Sequence, residues 1–129
     1  MKKLELKLLP NQYSIHRLTK KSKLPTFLYK MNSFFSFTST EEETSLICDS
    51  NFKIDKSVKD DNWSCIKLVG QLNVEETGIW SRITNVCSDC DCAVLTVTTF
   101  NTDFFLVKTS DLVKLKQNFL DNNFIFENR

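Results

Sequence analysis

The chain has 129 residues, a length that fits one compact domain or two very small ones with a shared core. Its formal net charge is +1, from 17 basic and 16 acidic residues, which argues against the clustered cationic face that DNA and RNA binding need. There is no signal-peptide core, and no run approaches the roughly 20 apolar residues of a membrane span. We therefore expect a cytoplasmic protein whose five cysteines stay reduced.

The first half of the chain predicts short strands around one short helix. Apolar and polar residues alternate over residues 4–9, 12–18, 33–38 and 44–48. A short helix is expected after Leu24, because Pro25 is favoured in a first helical turn. The polar stretch 49–62 is the best candidate for a boundary, and we expect two units, 1–60 and 61–129.

The second half predicts four strands and two helices. The strands are residues 65–69, 92–99, 104–108 and 124–126. Apolar residues at helical spacing predict a first helix from residue 77 to about Asp91 and a second helix later in the chain. The buried stripe of the first helix would be Ile79, Ile83, Val86, Cys87 and Cys90, and that of the second helix would be Leu112, Leu115, Phe119 and Leu120. Thr109 or Ser110 would cap the second helix, and Asn122-Asn123 would end it in a left-handed turn. The order strand, helix, strand, strand, helix, strand predicts an α+β, ferredoxin-like fold with antiparallel sheets.

A weak internal repeat suggests that the two units are related. Residues 35–39 with Glu43 align with residues 95–99 and Asp103 at an offset of 60 residues, as from Phe37 to Val97. Each copy is a strand, a turn rich in threonine and serine with one acid, and a returning strand. A chance likeness between two hairpins explains the pattern equally well.

The loop before the first predicted helix has the features of an anion site. It runs from Gly70 to Gly78, and such a loop presents backbone N–H groups at a helix N-terminus, where the helix dipole favours a negative charge. Asp103, in the turn after the next strand, would supply a carboxylate for an ammonium or guanidinium group. The pair would suit a zwitterion, although Asp103 also fits an ordinary β-turn.

Catalysis and metal binding are the other chemistries to weigh. Glu76 and Asp103 could form an acid/base pair, but no nucleophile or metal site accompanies them, so we expect no catalysis. The segment 87–92 holds three cysteines, yet a structural zinc site needs a fourth ligand, and core packing explains the thiols. We expect neither a metal nor a cofactor. His16, the only histidine, is predicted at the surface or at a sheet edge.

Six short segments occur in one characteristic order: residues 8–10, 34–36, 44–48, 63–67, 77–79 and 99–103. With them the chain resembles the short stand-alone ACT-domain proteins related to the ACT regions of aspartate kinases and CASTOR-type arginine sensors. The most specific part is the turn Thr99-Phe100-Asn101-Thr102-Asp103, followed by a Leu-Val strand. The resemblance covers nearly the whole chain and implies a degenerate, β-rich ACT-like unit ahead of an ACT domain.

By this resemblance the ligand contacts fall on the loop before the first helix and on the turn after the next strand: Glu76, Thr77, Gly78, Ile79, Thr99, Phe100 and Asp103. Two positions depart from the family pattern. Gln71 follows Gly70 where the family often has proline, which loosens the ligand loop. Asp91 stands where a glycine is expected at the helix end, and aspartate tolerates the left-handed conformation at modest cost.

The leading hypothesis is therefore a regulatory or sensor module that binds a small molecule, typically an amino acid, without catalysis. The alternative is a protein-interaction adaptor that keeps the ACT fold but has lost the ligand, which the change at Gln71 would fit. Units of this kind usually pair their sheet edges and apolar helix faces, so a homodimer or another protein partner is expected.

Overall fold

The computed structural model describes residues 3–70 and 78–127. In chain order the strands and α-helices are β1 Leu4–Leu8, β2 Tyr13–Leu18, β3 Ser36–Ser39, β4 Thr44–Asp49, β5 Val58–Leu68, α1 Ile79–Asp89, β6 Val94–Thr98, β7 Asp103–Lys108, α2 Leu112–Asp121 and β8 Phe124–Phe126. Short 3₁₀ helices, Thr26–Met31 and Thr109–Asp111, precede β3 and α2. Two compact units result: the first unit is Asn11–Trp63, and the second unit joins Met1–Pro10 to Ser64–Arg129.

The first unit is an antiparallel sheet in the order β3-β4-β2-β5, to which β5 contributes its first residues. Its core forms on one face of that sheet, under the 3₁₀ helix that supplies Leu28. The buried members are Leu18, Leu28, Leu46 and Cys48, and the partly buried residues packed around them are Leu24, Phe35, Phe37, Phe52 and Ile54.

Strand β5 is longer than the sequence predicts. The polar stretch 49–62 was predicted as a boundary and not as part of a strand, but β5 begins at Val58, and its first residues pair with β2. Arg17 lies opposite Val58 in this ladder, so backbone hydrogen bonds to a distant strand form the structure that the side-chain pattern does not indicate. The predicted boundary at residue 60 therefore falls inside a strand, and the compact units divide after Trp63.

The second unit is a sheet in the order β6-β7-β5-β1-β8, covered on one face by α1 and α2. Strand β1 runs antiparallel to β5, with Leu6 opposite Leu68, and parallel to β8, with Leu6 opposite Phe126. Strand β1 therefore packs with the second unit, not with the first. The predicted α+β, ferredoxin-like class with a mostly antiparallel sheet is confirmed, and β1 adds a strand between β5 and β8.

Helix α1 ends in a left-handed residue that is not glycine, as the sequence indicates. Asp91 has a φ of 57°, and its N–H donates to the carbonyl of Ser88 at 3.0 Å. The N–H of Cys92 donates to the carbonyl of Cys87 at 2.9 Å, which completes a Schellman motif. Both cysteines lie in the core of the second unit, which confirms their predicted packing role. Burial raises the pKa of the Cys87 thiol to about 11.

Helix α2 begins later than predicted, and the expected cap is wrong. The Thr109 hydroxyl lies 2.9 Å from that of Ser64, and α2 starts at Leu112 after a 3₁₀ turn, with no side-chain cap. At the other end Asn123 has a φ of 69°, as predicted. Leu120, which was expected in the buried stripe, is half exposed because the core side of the helix centres on Leu115 and Phe119.

The two hairpins of the internal repeat have equivalent turns. The Thr40 N–H donates to the Glu43 carbonyl at 2.8 Å, and the Thr99 N–H donates to the Thr102 carbonyl at the same distance. Pairing puts Ser39 opposite Thr44 and Thr98 opposite Asp103. The structural offset is therefore 59 residues, since 103 − 44 = 59, and not the 60 inferred from the sequence. The equivalent of Asp103 is Thr44, and not Glu43.

His16 is buried, with 3% of its surface exposed, contrary to the predicted surface position. Its Nδ1 lies 2.9 Å from Ser57 Oγ, and the Ser57 hydroxyl donates to the Ile54 carbonyl at 3.2 Å, so an Nδ1–H ring satisfies both groups. Its Nε2 is buried and has no hydrogen-bond partner among the described residues. The alternation of side chains along β2 did not predict this burial, because both faces of the strand are buried, as Tyr13 and Ser14 show.

We expect Phe119→Ala to lower the free energy of unfolding by about 3–5 kcal/mol. The Phe119 side chain is fully buried, and its ring centroid lies 5.8, 4.9 and 6.3 Å from those of Phe105, Phe124 and Phe126. Urea denaturation followed by circular dichroism measures the change. Val113→Ala, on the exposed face of the same helix, should change it by less than about 0.5 kcal/mol. A loss below about 1 kcal/mol for Phe119→Ala would contradict this packing.

The stability of the protein should fall as the pH drops below about 6.5. Burial, and to a lesser extent the charge of Lys59, lowers the pKa of His16 from 6.5, while Asp61 opposes the shift. The unfolded chain then binds the proton more tightly, so the free energy of unfolding is level above that pH and decreases toward the folded pKa. Urea titrations between about pH 5.5 and pH 8 test this. Because His16 is the only histidine, His16→Gln should flatten the slope, and an unchanged slope would contradict the assignment.

Candidate functional site

The start of α1 and the start of β7 lie at the same end of the second unit. Trp80, in the first turn of α1, packs edge-on against Phe105 with ring centroids 6.2 Å apart. Cys87, near the end of α1, lies close enough to Asp111, which follows β7, for that charge to add to the effect of burial on the Cys87 pKa. The helix and the strand therefore run in the same direction.

Asp103 is on the face of the sheet that the helices cover. It is the first residue of β7, and alternate residues of a strand point to the same side, so it shares a face with Phe105 and Val107. Both of those side chains are in the core under α1 and α2. Asp103 therefore lies one step beyond the residue that Trp80 contacts, toward the first turn of α1.

The carboxylate of Asp103 has an unused acceptor. Its Oδ1 is buried and has no hydrogen-bond partner within residues 3–70 and 78–127. More than about 90% of buried polar groups in proteins are hydrogen-bonded, and an unmade bond costs on the order of 1–3 kcal/mol. An oxygen of this kind is suited to accept a hydrogen bond from a bound cation.

The start of α1 offers donors. Gly78 precedes the helix with a φ of 82°, a left-handed conformation that favours glycine, and no side chain caps the helix there. A Cβ at Gly78 would meet no atom of the described residues within 4 Å. The Ile79 side chain is buried in the core, and what the residue can offer a ligand is its backbone N–H. The first N–H groups of a helix have no acceptor within it, and the dipole favours an anion.

The turn between β6 and β7 is fixed by Thr99. Its hydroxyl donates to the carbonyl of Thr102 at 2.9 Å and accepts from the N–H of Thr102 at 3.1 Å. Thr99 therefore shapes the turn instead of presenting a free hydroxyl. Phe100, at the tip, is 99% exposed and projects into solvent.

A cavity of about 270 Å³ lies between the end of β5 and this turn, lined by Lys67, Gly70, Asn101 and Thr102. Lys67 is a lining residue that the sequence analysis did not select. Gly78 and Asp103 do not line this cavity. It adjoins the turn that leads into Asp103.

The predicted ligand residues thus separate into three groups. Gly78, Ile79 and Asp103 lie at one end of the helix-covered face, and Thr99 and Phe100 form the turn next to it. The remaining two, at positions 76 and 77, lie outside the described residues.

No group of three or more His, Cys, Asp and Glu side chains in the described part of the chain is arranged to hold a metal ion. Within that same part, no helix has the length and apolar character needed to cross a lipid bilayer. Burial raises the pKa of Cys65 to about 12 and that of Cys48, with a smaller effect of Asp49, to about 11. These thiols are poor nucleophiles at neutral pH.

Comparison with known proteins agrees with this architecture. Residues 58–115 match the family model of the ACT domain. This stretch of the chain is therefore similar to ACT domains. A solved structure of a protein from Agrobacterium tumefaciens has a TM-score of 0.88 and 27% sequence identity, covering 100% of this chain and 97% of that one. No curated protein matches the sequence.

Aspartate kinases share the fold. Aspartokinase III of E. coli, solved with aspartate and ADP, has a TM-score of 0.63 at 13% identity, covering 92% of this chain and 32% of that one. The ligand-free regulatory subunit of the Thermus thermophilus aspartate kinase has a TM-score of 0.65 at 5% identity, covering 91% and 95%. The resemblance drawn from the sequence is confirmed, and the match to the ACT-domain model supports a regulatory module.

Proposed function

We propose that this chain is a noncatalytic regulatory sensor that binds a free amino acid between the start of α1 and Asp103. The observation that supports the proposal most directly is the buried Oδ1 of Asp103, which has no partner among the described residues. It lies on the helix-covered face, beside a helix start whose N–H groups have no side-chain cap.

An α-amino acid has the two charges that this arrangement can bind. Its carboxylate would accept hydrogen bonds from the backbone N–H groups at the start of α1, each worth on the order of 1.5–3 kcal/mol when charge-assisted. Its ammonium would donate to Asp103. No atom of the described part of the chain lies within 4 Å of a Cβ placed at Gly78, so the ligand backbone can come close there.

Binding without catalysis fits the chemistry of the second unit. Burial raises the pKa of Cys87 and of Cys92, so neither thiol supplies a nucleophile. The only histidine, His16, belongs to the first unit. We therefore propose a cytoplasmic module that passes ligand occupancy to a second copy of the chain or to another protein.

A thermal-shift screen over the twenty amino acids tests the sensor. A ligand at ~100 times its dissociation constant adds about 2.7 kcal/mol, a shift of several degrees for a chain of this size. Asp103→Asn should abolish the shift without lowering the melting temperature of the free protein, because the amide has the shape of the carboxylate. Asp89→Asn, which removes an exposed carboxylate at the other end of α1, should keep the shift.

Two outcomes count against the sensor. A flat response of the wild-type protein across the whole panel contradicts amino-acid binding. A shift that survives in Asp103→Asn shows that the ligand binds elsewhere on the chain.

The fully exposed ring of Phe100 favours a second candidate, the interaction adaptor. Aromatic side chains that protrude from a surface are frequent anchors of protein interfaces. If the turn tip mediates pairing of two copies, Phe100→Ser should weaken self-association in sedimentation velocity while leaving the unfolding midpoint unchanged. Equal sedimentation of the variant and the wild-type protein would exclude that role.

A further inference from the structure

A second cavity lies in the first unit, where β2 ends and β5 begins. Its volume is about 380 Å³, within the range of roughly 300–1,000 Å³ typical of small-molecule sites. It is lined by Arg17, Leu18, Thr19, Lys56, Ser57 and Val58. None of these residues belongs to the amino-acid site proposed above.

The charged side chains of this cavity are both cationic. Arg17 and Lys56 come from two separate segments, and neither forms an ion pair with any described residue. Thr19 and Ser57 add hydroxyl groups to the lining. Guanidinium, ammonium and hydroxyl donors together are the groups with which proteins bind phosphate.

Ser57 connects the cavity to a buried histidine. With an Nδ1–H ring, His16 donates to Ser57 Oγ at 2.9 Å, and the hydroxyl proton makes only a long bond of 3.2 Å to the Ile54 carbonyl. That proton can turn to an anion in the cavity while the ring continues to support the oxygen. The Nε2 of His16, which has no partner in residues 3–70 and 78–127, shows that apolar packing alone does not account for an imidazole at this position.

The backbone conformation of Lys56 also supports a ligand site in this cavity. Its φ is 54°, in the left-handed region where glycine and asparagine are favoured over other residues. Asn11, Asn32 and Asn62 occupy other left-handed positions of the first unit, and Lys21 occupies one as well. Of the two left-handed lysines, Lys56 is the one that lines the cavity, and a lysine at this position is explained if its ammonium group binds a ligand there.

We propose that this cavity binds a phosphate group, either as inorganic phosphate or on a small metabolite, through Arg17, Lys56 and Ser57. Two cations from separate segments, together with a hydroxyl, match a tetrahedral dianion better than a planar monocarboxylate. The site is independent of the amino-acid site, because it lies in the other unit and uses none of its residues.

Calorimetric titration with inorganic phosphate at about pH 7, with sodium chloride holding the ionic strength constant, tests the proposal. The wild-type protein should bind phosphate and sulfate but not acetate. Lys56→Asn should weaken phosphate binding about tenfold or more, as expected for the loss of one charge-assisted hydrogen bond. The same variant should raise the melting temperature, because asparagine tolerates the left-handed backbone. Opposite signs for binding and stability separate a ligand contact from a structural role.

Matched variants provide the controls. Lys30→Asn removes the same charge from the first unit outside the cavity lining and should leave phosphate affinity unchanged. Ser57→Ala should reduce it and should remove the phosphate-induced change in the His16 ring resonances. Asp103→Asn should have no effect, so that failure of the amino-acid site and failure of this one are distinguishable.

Absence of phosphate binding above the chloride background would overturn the proposal, and so would an equal loss of affinity in Lys30→Asn and Lys56→Asn. A parallel titration with glycerol phosphate distinguishes the two sources. Tighter binding than inorganic phosphate assigns the cavity to a phosphorylated metabolite, and equal or weaker binding assigns it to free phosphate.

Discussion

The packing of α1 along β7 is the contact on which the candidate site depends. Trp80 against Phe105 holds the start of the helix over the strand, and the Schellman turn at Asp91 holds its end. With both ends fixed, the first residue of β7 lies beside the first helical turn. The buried oxygen of Asp103, which has no partner among the residues that the structure describes, costs on the order of 1–3 kcal/mol, and the apolar core under the helices offsets that cost.

Local signals in the sequence were sufficient to predict most of the secondary structure of the second unit. The helical stripe of α1, the left-handed Asp91 and the left-handed Asn123 all depend on neighbours within one or two helical turns. The start of β5 and the burial of His16 could not be predicted in this way. Both follow from the pairing of β2 with residues more than 40 positions away. The alternation of residues along β2 does not show which side chains are buried, because both faces of the strand are buried.

The residues of the candidate sites also divide into those that local sequence signals predict and those that they do not. Gly78 and the turn at Thr99 could be selected from the sequence because a helix start and a hairpin turn have recognisable chemistry. Lys67 could not, since its cavity also requires residues 101 and 102 from another hairpin. Arg17 and Lys56 likewise meet only after β2 and β5 have paired. Residues that come together only through long-range strand pairing produce no periodic pattern in the sequence.

The two equivalent hairpins show how one turn can support different chemistry. Thr44 is the counterpart of Asp103, and its hydroxyl accepts the N–H of Lys21 at 3.1 Å in a fully buried position. The Thr44 hydroxyl is therefore already hydrogen-bonded within the protein and is not available to a ligand. At Asp103 the same place in the hairpin holds a longer, charged side chain whose buried oxygen finds no donor in the described chain. The turn chemistry is common to both units, whereas an open acceptor is present at this position only in the second, which is why we place the amino-acid site there.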